Sequence, residues 1–153
     1  GAAGPVGSVV MSDLQRTLVL VKPDGVRRGL SGEVLRRIEA KGYRPVAARL
    51  RTADEALLAE HYAEHAGKPF VGPLITFMAS GPVLALVVEG HRVIEGVRAL
   101  AGTTDPTTAA PGSIRGDLAA DTGAAVIENI IHASDSPESA AREIALWFAD
   151  LDS

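Results

Sequence analysis

Apolar positions along this chain fall into strand and helix rhythms separated by glycine and proline. Thr17-Leu-Val-Leu-Val21 is β-branched and apolar throughout, as a strand buried on both faces requires. Lys22-Pro23-Asp24-Gly25 ends it in a turn. Ser31 then caps a helix over 32–41, with Val34, Leu35 and Ile38 on one face and Gly42 as its stop. Tyr43 to Leu50 reads as a second strand. Asp54 opens a helix carrying Leu57, Leu58, His61, Tyr62 and His65 at helical spacing, and Pro69 opens a short one through Met78. Gly81-Pro82 breaks the pattern before a third, central strand, Val83 to Val88. A helix from His91 to Leu100 follows and stops at Gly102. From Gly102 to about Ile127 no period survives, and a loop that long in a compact domain is usually functional or disordered. Asn129 to His132 is a short fourth strand. Ser136 caps the last helix, with Pro137 at its first position and Ala140, Ala141, Ile144, Ala145 and Phe148 on its apolar face.

The order β-α-β-α-α-β-α-loop-β-α, with its split β-α-β units, predicts an α+β sandwich of the ferredoxin-like kind. Its four-stranded antiparallel sheet would be covered by helices. The length, 153 residues, suits one domain. Residues 1–10 read as a leader left from recombinant expression, with Met11 as the natural start and 11–153 as a single domain. With no cysteine, disulfide scaffolds, thiol nucleophiles and thiolate metal sites are excluded. At 4% aromatic residues, the core must be aliphatic. The net charge of −4 disfavours a nucleic-acid binder, so no nucleic-acid partner is expected, while a small anion held by a few cations remains open. Arginine predominates among the cations, which suits bidentate contact with phosphate. The apolar run Val83–Val88 is far short of the roughly 20 residues of a spanning helix, so no membrane partner is expected and the cytoplasm is the default compartment.

Neither G-x-x-x-x-G-K-[ST] nor G-x-G-x-x-G occurs, so a nucleotide would have to be held some other way. His61-Tyr-Ala-Glu64-His65 fits H-x-x-E-H, a zinc-hydrolase pattern on a helix, but without a third ligand downstream it reads first as an ordinary helix face. The informative stretch is Asn129-Ile-Ile-His132-Ala-Ser134-Asp135-Ser136. It puts a histidine at a strand end next to a capped helix, where an anion is welcome and an imidazole can act as a nucleophile on phosphorus.

His132 is accompanied by Lys22-Pro-Asp-Gly-Val26, Arg28-Gly-Leu30, Glu60-His-Tyr62, Lys68-Pro-Phe70, Ser80-Gly-Pro-Val83, Pro111-Gly-Ser-Ile-Arg-Gly-Asp117 and Glu143-Ile-Ala-Leu-Trp-Phe148. On these motifs, in this order from Gln15 to Phe148, the chain resembles the nucleoside diphosphate kinase family. The resemblance implies ping-pong transfer of a γ-phosphate from a nucleoside triphosphate to a nucleoside diphosphate through a phosphohistidine at His132. It implies that Lys22, Tyr62, Arg98, Thr104, Arg115 and Asn129 surround phosphates and ribose, that Phe70 stacks on the base, and that Ser134 and Glu143 support the histidine. Lys22, Tyr62, Ser134, Glu143 and His132 would form the catalytic set. Mg²⁺ would be held mainly through nucleotide phosphates, with no protein metal cage. The implied assembly is a homo-oligomer, a hexamer in preference to a tetramer.

Two departures set a second reading beside this one, a nucleotide-binding or regulatory module of weakened catalysis on the same fold. Ala133 stands where the family pattern has glycine; its methyl would take up space beside the phosphate, or cost about 1 kcal/mol or more if the position needed positive φ. Between Asp117 and Asn129 the chain is also longer than the family spacing by roughly one helical turn. Val126 in that stretch is a candidate base contact.

Overall fold

In the computed structural model the described residues are 14–151; the leader assigned to 1–10 and the start at Met11 lie outside them. Strands β1 (Leu14–Val21), β2 (Arg44–Arg51), β3 (Val83–His91) and β4 (Ile131–Ala133) form one sheet in the order β2-β3-β1-β4. Every neighbouring pair is antiparallel, as the ferredoxin-like sandwich requires. The α-helices are α1 (Pro23–Arg27), α2 (Ser31–Lys41), α3 (Glu55–His61), α4 (Val71–Met78), α5 (Val93–Ala101), α6 (Ile114–Leu118) and α7 (Pro137–Trp147), with a 3₁₀ turn at Ala63–His65.

The unbroken apolar run of β1 is explained by its position. It lies inside the sheet beside β3, and alternate side chains enter different layers. Val19 and Val21 join Leu86 and Val88 against Val34 and Ile38 of α2 and Val93 and Val97 of α5. Leu18 and Leu20 join Ala85 and Val87 against Leu58 of α3, Met78 of α4 and Trp147 of α7. Each fully buried Val or Leu contributes about 1.5–3 kcal/mol, so this double-sided strand anchors the molecule.

Several boundaries differ from the sequence expectation, each for a local reason. The turn at Lys22–Gly25 is the start of α1, because Pro23 at its first position already has helical φ. Ser31 lies inside α2, whose N-cap is Leu30 without a side-chain cap. The helix expected from Asp54 through His65 ends at His61, and Arg142 of α7 donates to the freed carbonyls of Glu60 and His61 at 3.0 and 3.4 Å. The helix placed from Pro69 begins at Val71, and the one placed from His91 begins at Val93, because β3 runs on to His91. The aperiodic stretch holds one short helix, α6, capped by Ser113, whose Oγ accepts from the Gly116 N–H. The residues from Ala119 to Asn129 stay irregular.

Candidate active site

His132 sits in β4 directly across from Leu20, so its imidazole projects on the layer of α3 and α7. Its Nε2 lies 2.8 Å from Glu143 Oε1, and Ser134 Oγ donates to the same oxygen at 2.7 Å. Burial alone would raise the Glu143 carboxyl. The hydrogen bonds from His132 and Ser134, with the nearby imidazoles, outweigh it and hold the group below the ordinary carboxylate range. An ionised carboxylate only accepts, so Nε2 carries the proton and the Nδ1 lone pair is left free.

The remaining residues come from segments far apart in the chain and meet around a cleft of about 550 Å³. That volume falls within the small-molecule range of ~300–1,000 Å³. Lys22, Tyr62, Phe70, Arg98, Thr104, Arg115, Asn129, His132 and Glu143 all line it; Ser134 lies behind Glu143, fully buried. Lys22 Nζ donates to Asn129 Oδ1 at 2.8 Å, and Asn129 Nδ2 donates to the Thr104 carbonyl at 2.9 Å. Arg98 donates to the Ala133 carbonyl at 3.1 Å. Burial pushes the Lys22 ammonium down to about 8, with Arg115 adding to the shift and Asp24 opposing it. Burial, then the charge of Arg98, lowers Arg115 to about 10. Cations held against desolvation and against each other mark a place that expects an anion. Burial raises the Tyr62 phenol, which therefore stays protonated and able to donate. Phe70 is 49% exposed at the rim, its ring beside His65 and beneath the Lys68 ammonium. Ala125, Val126 and Ile127 of the longer stretch line the same cleft.

Two residues to which the sequence reading gave no place beside His132 complete the support. His61 is buried, and Trp147 Nε1–H donates to its Nδ1 at 3.0 Å. Burial, then the neighbouring His132, lowers His61 to about 3, so it stays neutral. Its ring stands edge-on to that of His132, centroids 4.7 Å apart. The H-x-x-E-H reading fails here. His65 is on the 3₁₀ turn with its Nδ1 3.2 Å from Lys68 Nζ, away from His61. His61, His132 and Glu143 do bring ligating atoms within 4.8 Å. The indole can only donate, however, so Nε2 of His61 carries the proton, and Glu143 is committed to His132 and Ser134. As hydrogen-bonded here, the trio supports the imidazole of His132.

Strand β4 starts later than the sequence suggests because Ile130 has φ of +74°. A β-branched residue there costs about 1–3 kcal/mol. Asn129, Ile130 and Ile131 form a three-residue turn closed by the Ile131 N–H on the Asn129 carbonyl at 2.8 Å. Arg115 donates to the carbonyls of Asn129, Ile131 and Gly102 at 3.3, 2.5 and 2.8 Å. Ala133, by contrast, is in β4 and is not among the positive-φ residues, so its methyl adds no backbone strain.

The family model described as nucleoside diphosphate kinase matches residues 15–152. The chain belongs to the nucleoside diphosphate kinase family. A nucleoside diphosphate kinase of Streptomyces avermitilis is 66% identical over 135 residues, covering 88% of this chain and 96% of the relative. One of Mycobacteroides abscessus is 60% identical over 138 residues, 90% and 98% of the two chains. Among solved structures, the Borrelia burgdorferi nucleoside diphosphate kinase, a transition-state mimic with bound vanadate and ADP, superposes with a TM-score of 0.85 at 42% identity over 93% of each chain. The Halobacterium salinarum nucleoside diphosphate kinase in complex with CDP gives 0.83 at 48% identity, over 91% of this chain and 92% of that one. This nucleoside diphosphate kinase family member is thus an enzyme, a phosphotransferase that acts on nucleotides. Among the described residues no helix is long and apolar enough to cross a membrane.

Proposed function

We propose that this kinase works by ping-pong transfer with Nδ1 of His132 as the phosphoryl carrier. The observation that carries the assignment is the commitment of the His132 Nε2 proton to Glu143, which leaves the Nδ1 lone pair free in a cleft lined by cations. The Nδ1 lone pair attacks the γ-phosphorus of a nucleoside triphosphate. The bond from that phosphorus to the bridging oxygen breaks, and its electron pair leaves on the diphosphate. A second diphosphate then attacks the phosphohistidine through a terminal β-phosphate oxygen, and the N–P pair returns to Nδ1. Phosphoryl transfer asks mostly for positioning and charge neutralisation. Lys22, Arg98 and Arg115 supply fixed positive charge, and the Tyr62 hydroxyl supplies a donor. Asn129 and Thr104 frame the phosphates and ribose. Glu143, steadied by Ser134, keeps the Nε2 proton in place as positive charge develops on the ring.

Phe70, Val126 and Ile127 give the base apolar surface, and stacking on such surface does not depend on the base's edge, which suits an enzyme that accepts several nucleosides. The carboxylates lining the cleft are Glu64, Asp135 and Glu143, of which only Glu143 is buried and it is already engaged. They form no oxygen cage, which fits Mg²⁺ held mainly by the nucleotide's own phosphates, where it neutralises charge on them. The edge strand β2 with Leu50 63% exposed fits a surface covered by another subunit, in a homo-oligomer that we take to be a hexamer in a cytoplasmic setting. Sedimentation of the purified protein gives the subunit number directly.

Incubation with γ-labelled ATP and Mg²⁺ should leave acid-labile, base-stable label on the protein that passes to added GDP. His132→Asn should carry none. A wild type that takes no label overturns the ping-pong reading, and label persisting in the variant overturns His132 as its site.

A further inference from the structure

The strained turn at Ile130 is held on every side, and one of its supports belongs to no part of the mechanism above. The Ile130 N–H donates to Asp24 Oδ2 at 3.0 Å, and the Ile130 carbonyl accepts from the Lys22 N–H at 2.7 Å. Ile130 is fully buried and Asp24 is 2% exposed. Gly25 leaves the room: a Cβ there would lie 2.8 Å from Val21 Cγ1, 3.1 Å from Ile130 Cγ2 and 3.2 Å from the Ile130 carbonyl oxygen. The Lys-Pro-Asp-Gly segment at the end of β1 is therefore moulded against the turn that connects Asn129 to His132.

We propose that Asp24 is a positioning residue that clamps the strained Ile130 turn and so sets Asn129 and the His132 strand in register with the phosphate cleft. The proposal rests on His132 being the phosphoryl carrier. Without an acceptor at Oδ2, the Ile130 N–H is a buried orphan and the turn has a reason to leave positive φ. Relaxation would shift the two residues on either side of it, one bonded to Lys22 and the other leading into the strand that bears the nucleophile. The other oxygen, Oδ1, is buried without a partner, which no requirement of the turn explains. A neutral amide could present the same acceptor to the turn, with its NH2 in the place of Oδ1. The charge has a separate use, because Asp24 is the main influence opposing burial at Lys22. The lysine faces Asp24 and Glu128, which favour its ammonium, and Arg115, which disfavours it.

The two uses separate in two variants, each checked for folding by circular dichroism. Asp24→Ala loses clamp and charge. Its rate of His132 phosphorylation at saturating ATP and pH 6.5 should fall by about tenfold or more, since small misplacements of reacting groups are costly. Asp24→Asn keeps an acceptor, so its phosphorylation rate at pH 6.5 should recover to within about threefold of wild type. Its alkaline fall in kcat/KM should move to lower pH, a shift that a merely structural role would not produce. A folded Asp24→Ala protein labelled at the wild-type rate overturns the proposal. So does an Asp24→Asn protein more than about tenfold slow at pH 6.5, and this second test holds even if the alanine variant does not fold. Failure of wild-type labelling, in contrast, would strike the phosphohistidine reading itself.

Discussion

At the scale of single residues, charge and backbone angle decide what each position does. Lys22 is charged below about 8 in the free protein and neutral above it, because burial outweighs the pull of Asp24. A polyphosphate binds the charged form, so kcat/KM should fall as pH rises through about 8, while kcat, which reports the occupied enzyme, should hold to higher pH. Stability runs the other way: the folded chain gives up this proton before the unfolded one, so between about 8 and 10.5 rising pH favours folding at this group. A pH–rate series with matched melts tests both signs. Ala133 illustrates the opposite outcome, a departure from family pattern that leaves the backbone unstrained. Ala133→Gly should change kcat/KM by less than about threefold and cost about 0.5–1 kcal/mol as a strand glycine. A large gain in rate would revive the reading of a weakened enzyme. The cleft residues were legible through the family motifs that carry them, and residue type and spacing alone pointed only to the stretch around His132. The parts played by Asp24, His61, Trp147 and Ile130 were not legible, because they lie in partners 86 to 106 positions away along the chain, or in an angle that no residue type announces.

At the scale of elements, the sequence pattern is reliable where one layer of packing sets it and weak where several segments meet. β1, β3, α2 and α7 follow their apolar periods because each buries one continuous face or two. The end of α3 could not be read from the period, since Leu57, Leu58, His61 and Tyr62 run on without a break. What stops it is Arg142 taking the carbonyls of Glu60 and His61, a contact across 81 or 82 positions. Nor could α6 be found by period, being a single capped turn inside a polar stretch. The longer stretch after α6 has two parts. Asp121 to Ala124 is exposed, with Asp121 Oδ1 accepting from the Gly123 N–H at 2.8 Å, whereas Ala125 to Ile127 lines the cleft. Removing 121–124 should therefore change stability by less than about 1 kcal/mol, since shortening a surface loop alters closure entropy only slightly. It should raise nucleotide KM about threefold or more with kcat little changed, because the apolar contacts to the base are reseated while His132 and its supports are not. A fall in kcat without change in KM would place the stretch in the phosphoryl-transfer machinery instead.

At the scale of the whole molecule, the acidic total and the cationic cleft form a balance that a ligand should tip. The chain carries −4 overall, yet Lys22, Arg98, Arg115 and Arg142 all line one cavity. Lys22 and Arg115 are lowered there by burial, and each also feels a neighbouring arginine, so gathering these cations costs the folded state free energy that an anion would relieve. Binding to the folded state alone stabilises by about 2.7 kcal/mol at one hundred times Kd. For a domain near this size that raises Tm by several degrees, at roughly 2–4 °C per kcal/mol. The shift should follow phosphate charge, with a nucleoside triphosphate above a diphosphate and a free nucleoside near zero, and should shrink as added salt screens the exposed part of the interaction. Binding and chemistry then come apart in two variants. His132→Asn removes the nucleophile but leaves the cations, so it should keep most of the nucleotide-dependent shift and lose the label. Lys22→Ala removes a buried charge and the donor to Asn129, so it should lose most of the shift while gaining stability without ligand at neutral pH, provided the cavity it leaves stays hydrated. Equal shifts for triphosphate and free nucleoside would mean that the base wall, rather than the buried cations, holds the ligand, and that the cationic cleft is not what the phosphates relieve.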